Sequence, residues 1–221
     1  MRAFELASAT PLRLASLFNA TWDHTLYSEG MLALGDRTMD YISADRLIER
    51  PVLDPAYVSI ADYVDARLAG NTFSPERVTP PDLARQLESD CREALRLVEG
   101  IDAGEDIALM YELADVQAWA HIGLHLAEKI RGGVALQTYR QAGGEDNKAQ
   151  AIAHLQNALT QWDALIAITR PIYQDMLLTH MIGSSKNLNP DGLFHWQWIR
   201  PHVAEDVELA KRASVAPQAS P

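Results

Sequence analysis

Three residues stand at a spacing that could do chemistry: His121, His125 and Glu128. In a helix, positions four apart share a face, so two imidazoles would stack with a carboxylate about one turn further on. Helical bundles present metal ligands from such faces. The same pattern also describes amphipathic side chains seated in a groove between helices. The weight falls on the second reading, because no Glu-x-x-His pair is present and no second helix offers an evident partner set. The sequence therefore implies no cofactor, with His121, His125 and Glu128 as the metal candidates should one bind.

Aromatic side chains gather in two other places. Trp22, Asp23, His24, Tyr27 and Glu29 lie in a stretch broken by turn residues, and Phe194, His195, Trp196 and Trp198 come just before the last helical pattern. Exposed aromatic rings can stack on sugar rings, and the same rings can lock a loop onto a bundle. Phe194, Trp196 and Trp198 alternate as one face of an extended strand entering a helix would, which favours locking. In the first cluster the ionisable Asp23, His24 and Glu29 leave the two readings closer to balance. Trp22, Asp23, His24, Tyr27, Glu29, Trp196 and Trp198 are thus the candidates for substrate contact.

Other chemistry has no signature. The 221 residues hold no G-x-S-x-G elbow, no phosphate loop, no G-x-G-x-x-G after a strand and no H-E-x-x-H. Glu105-Asp106, Glu145-Asp146 and Glu205-Asp206 sit at expected helix starts, where the helix dipole accounts for them. The single cysteine, Cys91, removes a disulfide framework and Cys-rich metal sites, and its place on an apolar stripe marks it as a core thiol. With 19 Lys+Arg against 30 Asp+Glu the net charge is −11, which argues against nucleic acid and anionic membrane surfaces as partners. The most apolar stretch, Ile107 to Ile130, carries Glu112, Asp115, His121, His125 and Glu128, too polar for a membrane span. No signal peptide is evident at the N-terminus, so the chain as written reads as cytoplasmic.

The elements that must position these residues are helices. Thr79 and Pro80 open a long one, with Leu83, Leu87, Cys91, Ala94, Leu95 and Val98 at three- and four-residue intervals. A second, Glu105 to Arg131, is apolar on most sides and would lie centrally, with Gly132-Gly133 kinking it, ending it, or leading into Val134 to Tyr139. A third follows Gly143-Gly144 through Ile152, Leu155, Leu159, Trp162 and Ile166, and Pro171 stops or kinks it. Ile172, Tyr173, Met176 and Leu177 would carry its apolar face onward for two turns. A last helix opens at Pro201. Short helices are expected at Pro11–Phe18 and Ile60–Leu68. The predicted fold is an all-α antiparallel helical bundle of three long helices plus short ones. It divides into an irregular N-terminal wrap at 1–71, the bundle at 72–211 and a disordered tail at 212–221.

The order of segments resembles the C-terminal part of large bacterial glycoside-hydrolase-like proteins related to α-glucuronidases and hexosaminidases. The stretches that carry the likeness are ASATPLRLASLFNATWDHTLYSEG, VLDPAYVSIADYVDARLAGNTFSPERVTPPDLARQLE, DVQAWAHIGLHLAEKIRGGVAL and AIAHLQNALTQWDALIAITRPIY, most of Ala7 to Tyr173. The resemblance implies a preceding (β/α)₈ catalytic barrel, with the helical bundle packed behind it and residues 7–35 near its sugar-binding face. Family members carry an aromatic-Pro-Glu run in that loop; here it reads Leu26-Tyr27-Ser28-Glu29, with Glu29 in place and the proline missing. The catalytic acids of such a barrel are not in this sequence, so the chain is expected not to be catalytic by itself. Its partners would be the barrel and a carbohydrate, and its location periplasmic or secreted as part of a larger hydrolase. Two other readings stand beside it: a stand-alone interaction module or homo-oligomer built on the apolar seam around Trp162, and a metal-dependent bundle enzyme.

Overall fold

The computed structural model describes residues 1–19, 26–35, 38–177 and 191–216. Helix α5 (Pro80–Val98) starts where the sequence places it, with Thr79 and Asp82 forming a reciprocal capping box. Helix α6 (Ile107–Ala142) runs for 36 residues, a length of about 54 Å, and α7 (Glu145–Thr169) returns beside it after the Gly143-Gly144 turn. The last helix, labelled α8, is Trp196–Arg212. Helix α6 is the spine: α5 and α7 flank it, and the N-terminal helices α1 (Arg2–Ala7), α2 (Thr10–Leu17), α3 (Ala44–Glu49) and α4 (Ile60–Leu68) pack against it as well. The bundle of long helices is as expected.

The N-terminal wrap is more regular than its sequence suggests. Between α2 and α3 an antiparallel meander forms from β1 (Leu26–Tyr27), β2 (Leu32–Gly35) and β3 (Thr38–Tyr41), with Leu32 paired to both Tyr27 and Tyr41. Strands of two to four residues are too short for a period of two to stand out. Met31, between a 3₁₀ turn at Ser28–Gly30 and β2, is buried with a left-handed backbone at φ 51°. That conformation is unusual for a bulky residue, and burial on both flanks holds it there.

Gly132 and Gly133 neither end nor interrupt α6. They serve close packing: a Cβ on Gly132 would lie 2.8 Å from Leu155 Cγ of α7, and one on Gly133 would lie 3.0 Å from Ile60 Cδ1 of α4. The helix gives up about 1 kcal/mol of intrinsic preference at each glycine, and its neighbours come near enough to bury Leu155 and Ile60 completely.

Three expectations need correction. Beyond α7 the chain does not continue as a helix: Pro171 has no N–H, the Thr169 carbonyl accepts from Ile172 and Tyr173 instead, and Met176–Leu177 become strand β4. Strand β4 pairs antiparallel with β5 (Leu193–Phe194). Helix α8 begins five residues before Pro201, because His195 acts as its cap, Nδ1 accepting the Gln197 N–H at 3.1 Å. Pro201 then sits inside the helix and leaves the Gln197 carbonyl without its usual donor. Finally, the start of the tail is held: Ala216 N–H donates to the Arg140 carbonyl at 2.7 Å, and Lys148 Nζ to the Ala213 carbonyl at 2.9 Å.

Because the α6–α7 contact depends on a missing side chain, Gly132→Ala is expected to lower stability by about 1–3 kcal/mol despite the better helix propensity of alanine. Urea unfolding followed by circular dichroism reads this directly, and an unchanged or raised midpoint would contradict the close-approach account.

Candidate functional site

The structure joins the two aromatic regions that the sequence separates. The indole N–H of Trp196 donates to the Glu29 carbonyl at 2.6 Å, across 167 residues. The Trp196 ring meets Phe194 and His195 edge-on, with centroids 5.4 and 5.6 Å away, and Tyr173 at 5.9 Å. A Cβ on Gly30 would fall 2.8 Å from Phe194 Cε2, so the Ser28–Gly30 turn rests on the strand before α8. Tyr173 in turn lies tilted against Tyr111, with centroids 6.1 Å apart, and donates its hydroxyl to Asp115 in the third turn of α6. Burial, then that carboxylate, pushes the Tyr173 hydroxyl well above the ordinary phenol range.

Tyr27 and Glu29 are half-buried at this end of the bundle, as are Trp196 and Trp198. The Trp198 indole nitrogen is enclosed with no hydrogen-bond partner among the described residues. Trp22, Asp23 and His24 lie outside the described residues. The arrangement fixes the Leu26–Gly30 segment against α8 and leaves Met176, Leu177, Ile107 and Tyr111 exposed near it. It can hold a loop in place, and its ring faces are of the kind that stack on sugars.

The His121, His125 and Glu128 face is not gathered into one centre. His121 Nδ1 pairs with Gln161 Oε1 at 3.0 Å. Glu128 binds His154 Nδ1 at 2.9 Å, Asn157 Nδ2 at 3.2 Å and Arg131 Nη1 at 2.5 Å. Those donors hold its carboxyl down to about 2 against the opposing effect of burial. Among the described residues no group of three or more His, Cys, Asp or Glu stands where it could hold a metal ion.

His125 belongs to a different assembly. It is fully buried, and its Nδ1 donates to the Ala158 carbonyl at 3.0 Å, which leaves Nε2 to accept from the Tyr41 hydroxyl at 3.4 Å. Lys129, one turn on, has no exposure at all. Its ammonium donates to Tyr41 Oη at 2.7 Å, to Asp206 Oδ2 at 2.6 Å and to the Ile42 carbonyl. The other oxygen of Asp206 accepts the Ala44 N–H at 2.7 Å, at the first turn of α3. Burial lowers the Lys129 ammonium from its ordinary value, and Asp206 opposes that shift. Burial and then the Asp206 charge push the Tyr41 hydroxyl far up. Burial, reinforced by the Lys129 charge, brings His125 down to about 3. Trp162, also unexposed, closes the network: its ring packs edge-on against His125 at 4.8 Å and its N–H donates to the Trp196 carbonyl at 3.0 Å.

Sequence reasoning missed Lys129 and Asp206, and a signal for them exists. Lys129 falls seven residues after Ile122, on the stripe through Leu126, and Asp206 falls seven after Ile199, on the stripe through Val203. A charge on each of two apolar stripes is the mark of a buried pair. Cys91 is buried as expected, and burial pushes its thiol up to about 11. Trp162, at the centre of the apolar seam, is fully buried in this chain's own core, so that ring itself presents no surface.

No protein family matches the sequence, and no curated protein does. Among solved structures, the chain is similar to a GH138 enzyme targeting pectin rhamnogalacturonan II, with a TM-score of 0.73 at 13% identity over 95% of this chain. The match spans 31% of that enzyme's chain. At this identity the likeness is one of fold: the helical arrangement of this chain is found as part of a larger glycoside hydrolase.

Two expectations follow for the buried network. Lys129→Met leaves Asp206 charged and unpaired and should cost about 3–5 kcal/mol, whereas Lys129→Met with Asp206→Asn should recover at least half of that. Urea titrations of the two variants decide it, and equal losses would show that packing, not the charge, dominates. The second concerns acid. His125 stays neutral in the folded chain but takes a proton below about pH 6.5 when unfolded, so stability falls as pH drops from there toward 3. The slope approaches about 1.4 kcal/mol per pH unit for this one proton. His125→Asn, which keeps a donor for Ala158, should flatten the curve between about pH 6.5 and pH 5; an unflattened curve would remove His125 from the account.

Proposed function

We propose that the chain is a helical, non-catalytic module of a glycoside-hydrolase-like protein acting on polysaccharide, and that it supports a catalytic barrel lying outside these residues. The observation that carries this reading is the fold likeness over 95% of the chain to a third of a pectin-targeting hydrolase. The geometry agrees with it: Trp196 and Phe194 clamp the Leu26–Gly30 segment to the end of the bundle, which suits a loop presented to a neighbouring barrel. On this reading residues 72–211 form the buttress and residues 1–71 the wrap that carries the loop, with Tyr27 and Glu29 nearest the sugar. Trp22, Asp23 and His24 would complete that edge. The work would take place where polysaccharide is met, in the periplasm or outside the cell.

Antibodies raised against the chain test this in extracts of its source. The expected result is a single polypeptide or tight complex of more than twice the 24.5 kDa mass that releases sugar from pectin-type polysaccharide. In that assembly Trp196→Ala should lower turnover severalfold while the bundle remains folded. A lone 24.5 kDa species that binds no other protein would overturn the proposal.

A further inference from the structure

A cleft of about 360 Å³ opens over α6 between α4, α7 and the first turn of α5, well away from the aromatic end. That volume lies in the range of small-molecule sites. Its floor is apolar, from Val64 of α4 and Ile130, Val134 and Ala135 of α6. Around the rim stand Arg67, Arg131, Asn147, Gln150 and His154, and none of the residues lining the cleft is an Asp or Glu. In a chain of net charge −11, this cleft is lined by two arginines and by no carboxylate.

The two arginines differ in what they have free. Arg131 is spent on Glu88 and Glu128, one nitrogen to each. Arg67 has no ion pair among the described residues; it donates to the Tyr63 hydroxyl at 3.2 Å and lies 5.9 Å over the Tyr63 ring, which orients its guanidinium at the cleft mouth. Glu88 and Glu128 are thus taken up by Arg131 and its neighbours, and the Arg67 guanidinium stands outside that group. Arg92 also holds Glu88, and His154 and Asn157 hold Glu128. One guanidinium edge is therefore available for a single negative charge. Nearby, the Gln150 side chain makes no hydrogen bond among the described residues, and the Asn147 amide nitrogen is held by the Gly143 carbonyl. Guanidinium and amide groups above an apolar floor recognise a planar anion with a compact body.

We infer that this cleft binds a small monocarboxylate, its carboxylate on Arg67 and its body on the Val64–Val134 floor. The site goes beyond the module role proposed above and does not depend on it. Two sources share this chemistry, an aromatic acid and a sugar acid. Chemical-shift titration of the 221-residue chain with benzoate, glucuronate, benzamide and inorganic phosphate separates them. Benzoate, glucuronate or both should bind in the millimolar range or tighter, perturbing amides around Arg67 and Gln150, with the uncharged benzamide at least tenfold weaker. Arg67→Ala should weaken carboxylate binding about tenfold, and Val134→Trp, which fills the floor, should abolish it in a chain whose spectrum is otherwise unchanged. Benzoate alone would assign an aromatic acid, and glucuronate alone a sugar acid. The inference is overturned if neither acid binds, if Arg67→Ala binds as the parent does, or if phosphate binds as tightly as the acids.

Discussion

Lys129 brings an ammonium group into the centre of the bundle, and every element around it is arranged to receive that charge. Asp206 supplies the counter-charge from α8, Tyr41 and the Ile42 carbonyl supply acceptors from the end of β3, and Asp206 also anchors α3 through Ala44. Taking such a charge out of water costs several kcal/mol per ion, which only a complete set of partners offsets. The partners come from positions 41–44, 129 and 206, so the N-terminal wrap, the spine and the final helix must all be in register together. A single hydrophobic contact tolerates a shifted neighbour; this arrangement does not.

From that centre the order extends to the aromatic end through a short relay. His125 touches both Tyr41 and Trp162, Trp162 donates to the backbone of Trp196, and Trp196 donates to the backbone of Glu29. The loop at Glu29 is thus positioned by the same interior that fixes Lys129. The Arg67 cleft opens over α6 between α4 and α7, and its rim is drawn from helices whose spacing the Gly132-Gly133 approach sets.

Much of the long-helix pattern was legible. Thr79, Pro80 and the three- and four-residue spacing in α5 and α7 are local signals, and helices are local structures. The errors came where a long-range partner decides the outcome. Leu32 belongs to a strand because Tyr27 and Tyr41 flank it, and Met176 because Phe194 does. Pro201 marks a helix start by habit, but His195 six residues earlier had the side chain to cap one. The site divides the same way: Trp196 and Glu29 could each be picked out as candidates, yet nothing local to either says that they touch. Likewise, the glycine pair in α6 reads as a break until Leu155 and Ile60 are seen filling the space beside it.

The bond between Trp196 and Glu29 has a consequence for how the chain is made. A ribosome adding about 5–20 residues per second takes roughly ten to thirty seconds to travel from one partner to the other. Early in that interval Phe18, Met31, Leu32 and Ile42 have been synthesised, while α8, whose Ile199, Val203 and Val207 belong to the same core, has not. The nascent wrap must wait with apolar side chains uncovered, a surface that chaperones recognise, and its final packing belongs to the arrival of α8 rather than to early synthesis.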